Sequence, residues 1–409
     1  MKDRVILHCD CNSFFASVET AIDPSYAIVP MAVCGSTELR HGIVLAKNDL
    51  AKSYGIQTAE TVYSARRKCP SLVIASPHFD AYAEYSKRVN AIYADYTDKI
   101  EQFGIDESWL DVTDSQRLFG DGLQIAEIIR ARVKKEIGIT VSIGVSYNKV
   151  FAKLGSDYKK PDAITVIDRE SYDRIVAPLP CGDLLFVGKK TAQALSRIGI
   201  HTIGELAKLP LDFLVNKFGK IGNMLYTYSR GLDDSPVERA EQDNVKSVGN
   251  SYTFKRDLLT VDEIRLGVSF LTEEIARRLR QKQLKAGTVS VTLKDPDLHS
   301  TQRQAPLRTP SDISSELASA AMEILLREWV EGQPVRMIAV SASGLISADD
   351  EYIQIGMFDD SELSLRRQRS KEKDKTIDII REKHGSLSIV RGSYLGNDIG
   401  ISSQKSKGK

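Results

Sequence analysis

The stretch IEQFGIDESWLDVTDS (100–115) decides the fold. It reads as two strands folded about a Gly-Ile-Asp-Glu turn, which sets two adjacent acids, Asp106 and Glu107, at a strand end. Working outward, VILHCD (5–10) is a short apolar run ending on another acid, Asp10, and reads as a buried strand. PMAVCG (30–35), GIVLA (42–46) and SLVIASP (71–77) are further strand candidates with Gly and Pro punctuation. Residues 79–96 carry Tyr82, Tyr85, Val89, Ile92 and Tyr96 at helical spacing. LQIAEIIRARVKKEIG (123–138) is a helix stopped by Gly138, ITVSIGVS (139–146) alternates as a strand, and NKVFAKLGSDYKKP (148–161) is a helix ended by Pro161. Strands interleaved with crossing helices predict an α+β unit whose sheet is covered on one face.

Beyond residue 170 the strand signals stop, and 170–236 reads as a small helical module. VERAEQDNVKS (237–247) is polar and aperiodic, a linker. Residues 248–347 then run β-α-β-β-α-β, one sheet with two helices on a face. The net charge of +1 conceals an asymmetric end: 348–363 hold six acids and no base, whereas 364–409 hold 12 bases and five acids. Such a tail contacts nucleic acid or an acidic partner, or is simply solvated. Five cysteines, an odd count in 409 residues, exclude a disulfide framework and favour reduced thiols in the cytoplasm. The three-residue apolar run before His8 is too short for a signal peptide, and no apolar stretch is long enough to span a bilayer, so no membrane partner is expected.

Asp10, Asp106 and Glu107 are hard oxygen ligands. Converging at sheet ends, they suit Mg²⁺, and two such ions would clamp an in-line phosphoryl displacement. A two-metal nuclease or phosphatase fits the same acids, although a haloacid-type phosphatase would want Asp where the chain has Asn12. A DNA-binding scaffold without activity is the third reading.

HCDCNSFFASVE (8–19), GIDESWLDV (104–112), VSIGVSYNKVFAKLGSDYKKPD (141–162), FVGKKTAQAL (186–195) and FGKIGNMLYTYSRGLDDSPV (218–237) together resemble the Y-family, or lesion-bypass, DNA polymerases, in order and at family spacing over about 1–345. The resemblance implies a right-hand α+β multidomain fold. Its parts would be a palm at 1–169 with fingers inserted at about 20–77, a helical thumb with a helix-hairpin-helix at 170–236, a linker at 237–247, a little finger at 248–347, and a tail at 348–409. It implies low-fidelity, template-directed synthesis from dNTPs on primer–template DNA in the DNA-damage (SOS) response, with no proofreading exonuclease, by a monomer associated with the nucleoid. Two Mg²⁺ ions would lie on Asp10, Asp106, Glu107 and the Cys11 carbonyl. Phe15 would be the steric gate against ribose, and Phe14, Asn48, Lys52 and Lys160 would join it around the nucleotide. Asp49 replaces a phosphate-contacting tyrosine and Lys52 an arginine, departures that place the fingers nearer the UmuC-like than the DinB branch. Gly188, Lys189 and Lys190, in a hairpin that has Phe186-Val187 in place of the usual first glycine, would contact DNA, as would Lys255, Arg256 and Arg303. Gln354, Ile355, Met357 and Phe358 resemble the peptide that docks on the bacterial sliding clamp (its β subunit).

Overall fold

A computed structural model describes residues 4–36, 40, 42–238, 245–349 and 361–401. The chain divides into two compact units, residues 1–35 with 43–241, and residues 36–42 with 242–409.

In the first unit the order is β1 (Ile6–Cys11), α1 (Phe14–Ile22), β2 (Met31–Cys34), β3 (Val44–Lys47), α2 (Asp49–Ser53), α3 (Val62–Lys68), β4 (Val73–Ala75), α4 (Phe79–Ala94), β5 (Ile100–Gln102), β6 (Glu107–Asp111), α5 (Gln116–Phe119), α6 (Gly122–Arg132), β7 (Val141–Ser146), α7 (Lys149–Tyr158) and β8 (Ile164–Ile167). Four helices complete it: α8 (Lys189–Ser196), α9 (Ile203–Ala207), α10 (Leu211–Phe218) and α11 (Lys220–Ser229). The main sheet runs β5-β6-β1-β7-β8, antiparallel except for β7 with β8. A separate three-stranded sheet, β3-β2-β4, forms within the inserted segment.

Alternation along β1 sorts its side chains. Leu7, Cys9 and Cys11 pack into a core with Tyr82, Val89 and Ile92 of α4 and Ile125 and Ile129 of α6. Ile6, His8 and Asp10 therefore face the other side, where Ile6 meets Ala152 of α7 and His8 bonds Ser156. The expectation of a sheet covered on one face is thus corrected: α7 packs on the second face. It does so because β7 and α7 carry glycines at their crossing, where a Cβ on Gly144 would stand 1.8 Å from the Ala152 carbonyl oxygen. Val237, in the stretch read as a linker, is buried with Ile6, Trp109 and Ala152, while 239–244 lie outside the described residues.

The second unit runs β9 (Ser247–Leu258), α12 (Val261–Gln281), β10 (Leu284–Lys294), β11 (Ser300–Ser311), α13 (Ser314–Glu328), β12 (Val335–Ser347) and α14 (Ser361–His384). Its antiparallel sheet, β11-β10-β12-β9, carries α12 and α13 on one face, as the β-α-β-β-α-β reading required. The tail departs from the solvated alternative. Asp374 of α14 is buried and accepts from Ser314 N–H and Oγ at 2.8 and 3.0 Å, and Tyr394, Ile399 and Ile401 join the apolar core of this unit.

Candidate active site

Register brings Asp10 and Glu107 together. Asp10 is the direct cross-strand partner of Glu107, so both stand on the α7 face at the sheet end. The Cys11 N–H donates to the Asp106 carbonyl at 2.9 Å, tying the turn to β1. Asn12 closes the other side. Its amide donates to Ser142 Oγ at 2.8 Å, and its oxygen accepts from Thr140 Oγ1 and the Asp162 N–H at 3.0 and 2.9 Å. An aspartate there could not make the donation to Ser142.

The electrostatics are uneven. Burial, then the neighbouring charges of Asp10 and Glu107, pushes the Asp106 carboxyl up to about 6. Burial acts the same way on Glu107, but His8 and Lys153 outweigh it and bring that carboxyl down to about 2. Lys153 Nζ lies 2.5 Å from Glu107 Oε2, and buried His8 Nε2 is 3.4 Å from the same oxygen, long for a hydrogen bond. Desolvation lowers the His8 pKa, which favours the neutral ring. Lys160 is ion-paired at the site: Nζ is 2.7 Å from Asp10 Oδ2 and 2.7 Å from Asp157 Oδ1.

Glu107 and Asp10 are thus each paired with a lysine. Among the described residues only Asp295, Asp297 and His299 bring ligand atoms within 4.8 Å of one another, at the exposed β10–β11 turn. There Asp295 accepts the His299 N–H at 2.8 Å, a turn contact. The fit to divalent cations at Asp10, Asp106 and Glu107 rests on the donor set: oxygen ligands only, with the Asp106 carboxyl raised first by burial and then by two like charges that a cation would offset.

Phe15 is half-buried and stacks on Tyr82, ring centroids 4.2 Å apart and planes 12° from parallel. Tyr82 is fully buried, and its hydroxyl donates to the buried Glu19 carboxylate, which His78 Nδ1 approaches at 2.9 Å. Sequence reasoning misses this Phe15–Tyr82–Glu19 support. Its one signal is Tyr82 on the apolar stripe of α4, which reads only as core.

Several expectations need correction. Phe14 is 3 % exposed and belongs to the core, so its ring lines no nucleotide surface. Asn48 caps α2: its oxygen accepts from Ala51 and Met31 N–H, and its amide donates to the Tyr26 and Val29 carbonyls, leaving no donor for phosphate. Asp49 occupies the first turn of α2, where an acid suits the helix dipole. Arg256 is held by Glu263 and Asp398 at 2.5 and 2.7 Å. Arg303 pairs across strands with Val291, itself paired with Val340. Both valines are buried under the helices, so Arg303 lies on the covered face and bonds Glu328 at 3.1 Å. Lys52 is exposed on α2, and Lys255 is exposed on edge strand β9. Gly188, Lys189 and Lys190 open α8 with Gly188 as N-cap, both lysines exposed. Of the Phe186-Val187 pair that stands in place of the usual first glycine, Phe186 adopts φ 63°, a left-handed conformation despite its side chain. Gln354, Ile355, Met357 and Phe358 lie outside the described residues.

A palm-type sheet presenting acids from two neighbouring strands, with a helical hairpin module and a separate β-α-β-β-α-β unit, defines the class: a right-hand polymerase. The comparisons agree. Models of the impB/mucB/samB family match residues 9–157, its C-terminal domain 245–357, and the thumb domain of DNA polymerase iota 182–233. The chain is 46% identical to DNA polymerase IV of Acetivibrio thermocellus over 393 residues, 96% of this chain and 98% of the relative. It is 35% identical to DNA polymerase IV 2 of Bacillus subtilis over 404 residues, 97% and 95% of the two chains. A solved Y-family DNA polymerase chimera of Dbh and Dpo4 superposes with a TM-score of 0.75 at 23% identity, covering 84% of this chain and 99% of that one, a likeness of fold. The chain belongs to the impB/mucB/samB family, the Y-family of DNA-directed DNA polymerases, whose members use divalent metal ions.

Proposed function

We propose that this chain extends a primer 3′-hydroxyl by one templated deoxynucleotide at a time, with low fidelity and across damaged template bases. The observation that carries it is the cross-strand pair Asp10–Glu107 beside the raised carboxyl of Asp106, an acid cluster at a sheet end suited to cations and a triphosphate. Asp10, Asp106, Glu107 and the Cys11 carbonyl would hold two Mg²⁺ ions. When bound, these would lower the pKa of the attacking hydroxyl and neutralise charge developing at the α-phosphate.

The protein's own groups do the rest. Lys160 turns from Asp10 to the triphosphate as a point charge. Ser13 starts α1 without a side-chain cap, so the first-turn amides of this nine-residue helix can take phosphate oxygens. Phe15, backed by Tyr82, closes the space a 2′-hydroxyl would need. Lys189 and Lys190 at the start of α8 take duplex phosphates without reading sequence. The sheet face opposite α12 and α13 is a second duplex surface: its rows place Ser341 between Ser290 and Gly249, and Ala339 between Thr292 and Ser251, so small residues and hydroxyls allow close backbone approach. Gln354, Ile355, Met357 and Phe358 tether the chain to the sliding clamp by docking their apolar side chains in its groove.

The test is extension of a primer ending one nucleotide before an abasic site, with dNTPs and Mg²⁺, with and without a bacterial clamp. Insertion opposite the lesion, stimulated by the clamp and losing that stimulation in a Gln354→Ala/Phe358→Ala double variant, is expected. A shortened primer would mean a nuclease, and an unchanged one a scaffold.

A further inference from the structure

Two ammonium groups occupy the acids that cations must reach, and both touch one further acid. Lys153 Nζ is 2.5 Å from Glu107 Oε2 and 3.8 Å from Asp157 Oδ2. Lys160 Nζ is 2.7 Å from Asp10 Oδ2 and 2.7 Å from Asp157 Oδ1. Each oxygen of the Asp157 carboxylate thus faces a different lysine. Lys153 and Asp157 are one helical turn apart on α7, beside the sheet end that carries the acids.

An ammonium and a divalent cation cannot share one carboxylate oxygen at close range, since both carry positive charge and compete for the same lone pairs. Lys153 is about one-fifth exposed, too enclosed to retire freely into water. It needs another acid, and Asp157, half exposed and one turn along, is within reach.

We propose that Asp157 is a positioning residue, the shared counter-ion that takes Lys153 off Glu107, and steadies Lys160 as it leaves Asp10, when divalent cations bind. The exchange moves no proton and breaks no covalent bond. It turns Glu107 toward Asp106 and leaves Lys160 free to meet the triphosphate. This rests on the metal-site reading above.

The test uses the full chain with a dideoxy-terminated primer–template and the matching dNTP, so that no turnover occurs, and tracks Mn²⁺ binding by electron paramagnetic resonance. Asp157→Asn, close in shape to the original, is expected to weaken Mn²⁺ binding about 10-fold, in the range for residues that orient metal ligands. Adding Lys153→Met should bring affinity back to within about twofold of the parent, because Glu107 no longer has a competitor. A merely structural role for Asp157 would not be rescued this way. Parental Mn²⁺ affinity in Asp157→Asn, or a double variant as weak as the single one, overturns the proposal. Asp106→Ala, measured alongside, separates the two readings: if it binds Mn²⁺ like the parent the metal site itself is wrong, and if it loses binding while Asp157→Asn does not, only the role of Asp157 falls.

Discussion

Asp106 carries a conflict between stability and function. Its carboxyl sits near 6 in the fold, against about 3.9 for an unfolded aspartate, so folding favours the protonated form. That contribution is complete below about pH 4 and is lost as pH rises through 6. At pH 8 the charge is a burden, and Asp106→Asn should raise unfolding free energy by about 1–2 kcal/mol after allowance for its partial exposure. Urea melts at pH 8 and pH 4 check this: the gain should disappear at the lower pH. The gate belongs to the same scale. Phe15→Ala should reduce discrimination against ribonucleotides roughly 10- to 100-fold. Tyr82→Ala, which removes the ring stacked on Phe15, should lose part of that discrimination, read from single-nucleotide incorporation of dNTP against rNTP. Asp10, Asp106 and Glu107 were legible as acids at a turn and at strand ends, whereas Phe15 stood out only through the family resemblance and would otherwise read as core. The Lys153 and His8 contacts to Glu107 were not, since they join residues 46 and 99 positions away through the packing of α7 on β1.

At the scale of elements, the β7–α7 contact sets the geometry of the site, because α7 carries Lys153 and Asp157 and leads into Lys160. Gly144 and Gly155 let the two backbones meet, a Cβ on Gly155 reaching 3.0 Å from the Gly144 Cα. Gly144→Ala should cost about 3 kcal/mol or more, since the added methyl meets backbone rather than a movable side chain. Denaturant midpoints measure it, and a loss under about 1 kcal/mol would mean the helix shifts without strain. Periodicity located these elements but not which face each strand presents. Arg303 shows why: charge and strand placement made it a DNA contact, yet pairing with Val291 turned it to the covered face. A shift of one residue reverses every side chain, and register is a tertiary property.

At the scale of the whole molecule, the C-terminal segment was the least legible part. Helix α14 is strongly polar, and the apolar residues that anchor the chain beyond it, Tyr394, Ile399 and Ile401, sit outside any regular repeat. The order of its described part comes from long-range contacts: Asp374 to Ser314, Arg280 to Asp378 at 2.6 Å, and the Lys255 N–H to the Ile399 carbonyl at 2.9 Å along the free edge of β9. Removing residues 386–409 should lower the stability of the second unit by about 4 kcal/mol, an upper figure from three lost apolar anchors. Calorimetry should show one of two unfolding transitions moving down. An unmoved thermogram would mean the segment is merely apposed.

The central claim is that Asp10, Asp106 and Glu107 hold the cations for nucleotidyl transfer to DNA. It is tested most directly by primer extension with Asp106→Ala, with duplex binding measured on the same preparation by fluorescence anisotropy. Extension should vanish while the duplex is still bound; extension at the parental rate would contradict the account.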